Sequence, residues 1–158
     1  MQQIVDKRGF TLIELVCFMT LFVVIAGVLI PLWQFILRFA EVDRINTATE
    51  MLVEDIAAMQ QQAMLESSTG QQFSLMVNVE GDGYKILHNQ TMDKQINFTE
   101  RGWHTIRLAM PSINRLSFSN TGAPKNYISY RIYSMKKMGV KDKKVEVQPV
   151  SGRIVISD

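Results

Sequence analysis

The stretch DKRGFTLIELVCFMTLFVVIAGVLIPLW, residues 6–33, decides how the rest of the chain is read. From Leu15 to Trp33 it holds 19 residues without a charge, enough for a helix of roughly 28 Å, close to the hydrocarbon thickness of a bilayer. Glu14 stands at the edge of that run. A carboxylate at such a depth costs about 2.5–3.5 kcal/mol on insertion scales, so it marks a function or has a partner. Ahead of the run, Asp6, Lys7 and Arg8 form a short leader, and its two cations favour the cytoplasmic side, which places the remainder of the chain outside. A secretory signal peptide requires a small-x-small cleavage site after its apolar region, and LWQFILRFAEVD, residues 32–43, offers none. A core helix apolar on every face needs a larger domain than 158 residues build. A plain single-span anchor is the competing reading.

Beyond the run, Ile45, Ala48, Leu52, Ile56, Met59 and Ala63 recur at steps of three and four. This predicts one apolar stripe on a helix that continues to about Glu66, where SSTG stops it. Counted from Phe10, the helix is about 57 residues and about 85 Å long, with Pro31 as its weak point. After Gly70 the period becomes that of strands. QQFSLMVNV, the turn EGDG and YKILH predict a hairpin over residues 71–88. WHTIRLAM, NRLSFS, YISYRIYS, KVEVQPV and GRIVISD follow as short strands, separated by NTGAP, KKMGVKDKK and VSG. The expected class is α+β: a long N-terminal helix, half in the membrane and half soluble, packed on a small C-terminal antiparallel β domain.

Arg8-Gly9-Phe10-Thr11-Leu12-Ile13-Glu14, with the apolar run directly behind it, resembles the class III signal of type IV pilins and pseudopilins. The resemblance implies that a prepilin peptidase cuts between Gly9 and Phe10 and that the new amine of Phe10 is methylated. It also implies that Glu14 pairs with the terminal amine of a neighbouring subunit during filament assembly. Such a pair is physically reasonable, because a carboxylate and an ammonium that neutralise each other avoid much of the desolvation cost of either alone. At the other end, Phe118, Gly122 and Pro124, followed by Gly152, Arg153, Ile154 and Ile156, resemble the C-terminal signature of H-type and FimT-like minor pseudopilins, the ComGD-type competence pseudopilin in particular. The two resemblances together cover the N-terminal third and roughly the last 45 residues. They imply a pilin-like fold and, as partners, other major and minor pilins or pseudopilins.

Charge separates the two parts of the chain. Residues 10–91 hold three cations and nine anions, for −6, whereas residues 92–158 hold twelve cations and five anions, for +7. Lys136, Lys137, Lys141, Lys143 and Lys144 crowd one expected loop beside Tyr127, Tyr130, Arg131 and Tyr133. Lysines on a loop tip near aromatic rings suit nucleic-acid phosphates and bases, and a solvated loop is the simpler alternative. The single cysteine, Cys17, lies in the apolar run, which leaves no disulfide outside it. His88 and His104 lack companions at ligand spacing, so no metal or other cofactor is expected. No nucleophile elbow, phosphate loop or zinc motif is present, and the chain is read as the substrate of an enzyme rather than an enzyme.

The organisation expected is a cleaved leader over residues 1–9, a transmembrane and assembly helix over 10–38, the soluble half of the helix over 39–68 and a β-rich domain over 69–158. The location expected is the cytoplasmic (inner) membrane, single-pass with the N-terminus inside, and then a cell-surface or envelope-spanning filament. The function expected is that of a minor pilin or pseudopilin that initiates or caps a type IV or competence pilus for DNA uptake. The alternatives are the H-type pseudopilin of a type II secretion system and a DNA-binding receptor subunit at a pilus tip.

Overall fold

The structure, a computed structural model, describes residues 11–65, 72–111, 113–136 and 138–158. The chain divides into two compact units, Met1–Phe39 and Ala40–Asp158, and one helix, α1 (Leu12–Leu65), supplies residues to both. In the first unit every described side chain of α1 is exposed except those of Ala26 and Leu37, which are half-buried. An 18-residue window there has a mean hydropathy of 2.8 and no buried residue, so the helix is long and apolar enough to cross a membrane by length and composition. The helix passes through Pro31 without a break. A proline forfeits one ladder hydrogen bond and crowds the preceding turn, which bends a helix without necessarily ending it.

From Ala40 onward the same helix is amphipathic. Ile45, Ala48, Leu52, Ile56 and Met59 are buried in the core, as their spacing predicts, and Ala63 packs partly buried against it. Eight strands follow: β1 (Phe73–Val77), β2 (Gly83–His88), β3 (Thr91–Asn97), β4 (Ile106–Ala109), β5 (Leu116–Ser117), β6 (Ile128–Ser134), β7 (Lys143–Val147) and β8 (Ile154–Ser157). They form two four-stranded sheets, ordered β3-β2-β1-β5 and β4-β6-β7-β8, and every paired neighbour is antiparallel. A single cluster of buried side chains holds the helix stripe together with residues of both sheets, among them Leu75, Tyr84, Leu108, Tyr130 and Val145, and with Phe98 just beyond β3. The α+β class expected from the sequence is the one found.

Three details depart from the sequence reading. The strand β3 was not expected, because Thr91 to Gln95 are all exposed and show no apolar alternation. It forms as the second arm of a two-residue hairpin in which Asn89 and Gln90 both take positive φ, the geometry of the turn that matches strand twist. The NRLSFS segment contributes only the two residues of β5. Asn114 ends the ladder by accepting from the Val77 amide at 2.8 Å and donating to the Val77 carbonyl at 3.0 Å, so a side-chain amide takes the place of a strand partner. The basic segment expected as a loop is only partly one, since Lys143 and Lys144 open β7 and pair with Ile132 and Arg131 of β6.

Candidate functional site

The start of α1 carries a reciprocal cap. Glu14 Oε2 accepts from the Thr11 amide at 2.9 Å and from Thr11 Oγ1 at 2.8 Å, while the Glu14 amide donates to Thr11 Oγ1 at 3.3 Å. This is the arrangement that Thr-x-x-Glu makes at a helix N-terminus, where it satisfies two amides that lack a partner within the helix. Thr11 was missed in reading the sequence, although the spacing TLIE ahead of an apolar run was its signal. Within a single chain the Glu14 carboxylate thus already has donors. The expected cleavage junction, Gly9-Phe10, lies outside the described residues.

Two further carboxylates on the same helix were not singled out from the sequence, and both are buried. Glu41 is 1% exposed. It accepts from Thr105 Oγ1 at 2.9 and 2.8 Å, from Ser134 Oγ at 3.1 Å and from Arg44 at 3.1 Å, with Lys136 Nζ 3.5 Å away. Burial pushes its carboxyl up, but the hydroxyls of Thr105 and Ser134 and the charges of Lys136 and Arg44 outweigh this and hold it below its ordinary value. Asp55 accepts from Tyr84 Oη at 2.8 Å and from Lys94 Nζ at 2.6 Å. Burial first, and then the hydrogen bond to Asp55 and its charge, push the Tyr84 phenol far above its ordinary range, so it remains a donor. Glu41 therefore ties α1 to the sheet that contains β6, and Asp55 ties it to the sheet that contains β2 and β3. Four turns apart on one helix, they act as two polar pegs in an apolar stripe.

Gln60 forms a third tie. Its Nε2 donates to the Gly122 carbonyl at 2.8 Å. A Cβ on Gly152, whose φ is +65°, would lie 2.4 Å from that same carbonyl and 2.3 Å from Gln60 Nε2. The two glycines of the C-terminal signature thus meet over one helix side chain, and Phe118 and Pro124 bridge in antiparallel fashion beside them. Gly152 has no room for a side chain without a shift of backbone, whereas at Gly122, whose φ is +78°, a Cβ would press on the Met64 side chain at 2.8 Å, which gives the signature a packing reason.

The basic cluster is largely neutralised. Lys136 faces Glu41, Arg131 Nε donates to Asp142 at 2.8 Å, Lys143 pairs with Asp158, and Lys144 pairs with Glu146, which also accepts from Tyr127 Oη at 3.0 Å. Lys144 and Tyr127 together hold the Glu146 carboxyl below its ordinary value. Lys137 lies outside the described residues. Of the aromatic residues beside the cluster, Tyr130 is fully buried and Tyr127 is half-exposed. Among the described residues, no group of three or more His, Cys, Asp and Glu side chains is placed to hold a metal ion.

Comparison with known proteins bears on the N-terminal segment and on the fold. The family described as the prokaryotic N-terminal methylation motif matches residues 5–30, so the chain carries that motif. No curated protein matches it significantly. Among solved structures, the chain is similar to the minor pseudopilin EpsH from the type 2 secretion system of Vibrio cholerae, with a TM-score of 0.56 and 12% identity over 72% of this chain and 96% of that one. A second is the type IV minor pilin FimU of Pseudomonas aeruginosa, with a TM-score of 0.49 and 19% identity over 76% and 92% of the two chains. The likeness to EpsH is one of fold: a long N-terminal helix with antiparallel sheets.

Proposed function

We propose that this protein is a minor pilin or pseudopilin. It is cut between Gly9 and Phe10 by a prepilin peptidase and methylated on the Phe10 amine. Residues 10–38 hold it in the cytoplasmic membrane until it joins a filament of other pilins. The observation that carries the reading is the coexistence, in one chain, of the methylation motif over residues 5–30 and a fold similar to that of a minor pseudopilin. The cap on Glu14 supports a particular order of events. The carboxylate is satisfied by Thr11 while the subunit is alone, and it exchanges that partner for a neighbour's amine on assembly. Intact-mass and N-terminal peptide spectrometry of membrane fractions tests the reading. The expected mature chain begins at methyl-Phe10, and a chain that retains residues 1–9 leaves only a plain anchor.

The finer reading, a subunit that initiates or caps a competence pilus for DNA uptake, rests on the C-terminal signature and the lysine cluster. A type II secretion pseudopilus is the second reading, favoured by the fold likeness to EpsH. Direct DNA contact through Arg131, Lys136, Lys137, Lys141, Lys143 and Lys144 would require the pairs with Asp142, Glu146 and Asp158 to open, which weakens any phosphate binding. Deleting the gene and scoring both DNA uptake and protein secretion separates the readings: loss of uptake alone supports the first, and loss of secretion alone supports the second.

A further inference from the structure

We propose that the outer edge of β8 is a docking strip that takes up an extended, alternately apolar and acidic segment of another polypeptide by strand addition. The strip does not depend on the pilin reading. Its sheet ends at β8, and among the described residues nothing pairs with the far side of that strand.

The hydrogen-bond phase identifies the free backbone groups. The Gln148 amide donates to the Arg153 carbonyl at 3.0 Å, and antiparallel pairs alternate between bonded and non-bonded. In the register Val147↔Ile154, Glu146↔Val155, Val145↔Ile156 and Lys144↔Ser157, Val155 and Ser157 therefore bond to β7. Ile154 and Ile156 direct their N–H and C=O groups outward. Their side chains stand on the core-facing side of the sheet, at right angles to those groups. Along the row Tyr130, Val145 and Ile156, exposure is 0%, 0% and 48%. The apolar layer of this sheet thus runs uncovered to its edge.

Edges of this kind are normally blunted by charge, proline or a bulge. The molecule shows the contrast itself. At the edge of the other sheet, β3 carries Asp93, Lys94 and Gln95, and its pairing with β2 is irregular between Ile86 and Leu87. In β8, Ile154-Val155-Ile156 has none of these devices.

Charge selects the occupant. Where β8 runs out, a groove of about 640 Å³ is lined by Arg131, Lys141, Lys143 and Lys144 with Asp142 and Asp158; Arg131, Lys143 and Lys144 are each held in an ion pair, which leaves Lys141 as the cation that favours an acidic side chain. Lys141 has no ion-pair partner among the described residues. A strand that covers Ile154 and Ile156 with apolar side chains and carries carboxylates over this groove satisfies both features. A second copy of β8 fits worse, because antiparallel self-pairing sets Arg153 of one copy against the basic groove of the other.

The test uses the full chain in detergent micelles and a labelled nine-residue peptide of alternating Val and Glu. Hydrogen exchange at Ile154 and Ile156 is expected to be fast without peptide and at least about tenfold slower with it, with anisotropy reporting saturable binding. Ile156→Pro removes an outward amide and no bond to β7, so it should weaken binding about fivefold or more without lowering the melting temperature. Lys141→Glu, at an exposed side chain, should weaken binding and reduce its salt dependence, and a Val-Lys peptide should not bind. Binding unchanged by both variants, or equal binding of the Val-Lys peptide, overturns the proposal. So does protection of Ile154 and Ile156 in peptide-free samples that rises with protein concentration, which assigns the edge to a second copy.

Discussion

The two stretches of α1 form one continuous helix under opposite rules. Before Phe39 the apolar side chains cover every face and remain exposed within the chain, Leu21 at 59% and Phe22 at 60% among them, and the one carboxylate, Glu14, is satisfied locally by Thr11. After Ala40 a stripe of apolar side chains from Ile45 to Met59 is buried, and the two buried carboxylates, Glu41 and Asp55, are satisfied by residues far along the chain. The first stretch leaves its apolar side chains uncovered by the rest of the chain, and the second packs them into a core that the chain assembles. A side chain's hydrophobicity therefore says little about its contribution to folding until its surroundings are known.

The sharpest way to break this comparison is to truncate one leucine in each stretch. Leu52 is 0% exposed, and Leu52→Ala should cost about 3–4 kcal/mol in chemical unfolding of the second unit. In the same measurement, Leu21→Ala should change stability by less than about 0.5 kcal/mol. Similar losses from both would mean that the first stretch is also packed by the chain.

Next comes Glu41. Replacement by Gln leaves Lys136 and Arg44 beside a neutral side chain, and the expected loss is about 2–3 kcal/mol. Because the folded carboxyl is held below the ordinary value of 4.5, its contribution is present above that pH and is lost as pH falls through the folded value. Wild-type stability should therefore drop on acidification below about pH 4.5 more steeply than that of Glu41→Gln. Parallel pH curves would remove Glu41 as the origin.

A pair of glycines gives a smaller effect of opposite sign. Gly152→Ala should destabilise by about 1–3 kcal/mol, since its φ of +65° and the Gly122 carbonyl leave no room for a Cβ. Gly27→Ala meets nothing within 4 Å and should stabilise α1 by about 0.5–1 kcal/mol, read as greater helix content or slower exchange in detergent. The smallest effect on unfolding belongs to Glu14→Gln. It should leave the second unit unchanged and, under the proposed function, lower only the incorporation of the subunit into sheared filaments; normal incorporation would overturn the proposed assembly role of Glu14.

Legibility followed the range of the interactions. The stripe from Ile45 to Met59 and the strands with apolar alternation could be read because burial repeats at a local period. The edge strand β3 could not, because its first five residues, Thr91 to Gln95, are exposed on both faces and have no such period, and its signal lay in the two-residue loop Asn89-Gln90. The lysine cluster was visible as a run of charge, with Glu146 two residues beyond it, but not all of the carboxylates that neutralise it were. Asp142 stands in the run itself, whereas Glu41 comes from the helix and Asp158 from beyond β8.

By itself the sequence determined what depends on neighbours within a few residues. This covers the methylation motif, the apolar run long enough to cross a membrane and the change of period from helix to strand after Gly70; the Thr11-Glu14 cap is equally local, although it was missed in the sequence. Only the tertiary structure decided which charges are structural. Glu41 finds its hydroxyl partners 64 and 93 residues away, at Thr105 and Ser134, and Gln60 meets Gly122 62 residues on. In the unfolded chain such groups are strangers solvated by water. Closing the helix onto two sheets removes that water, and each buried polar group must then be met by the one neighbour that the topology delivers.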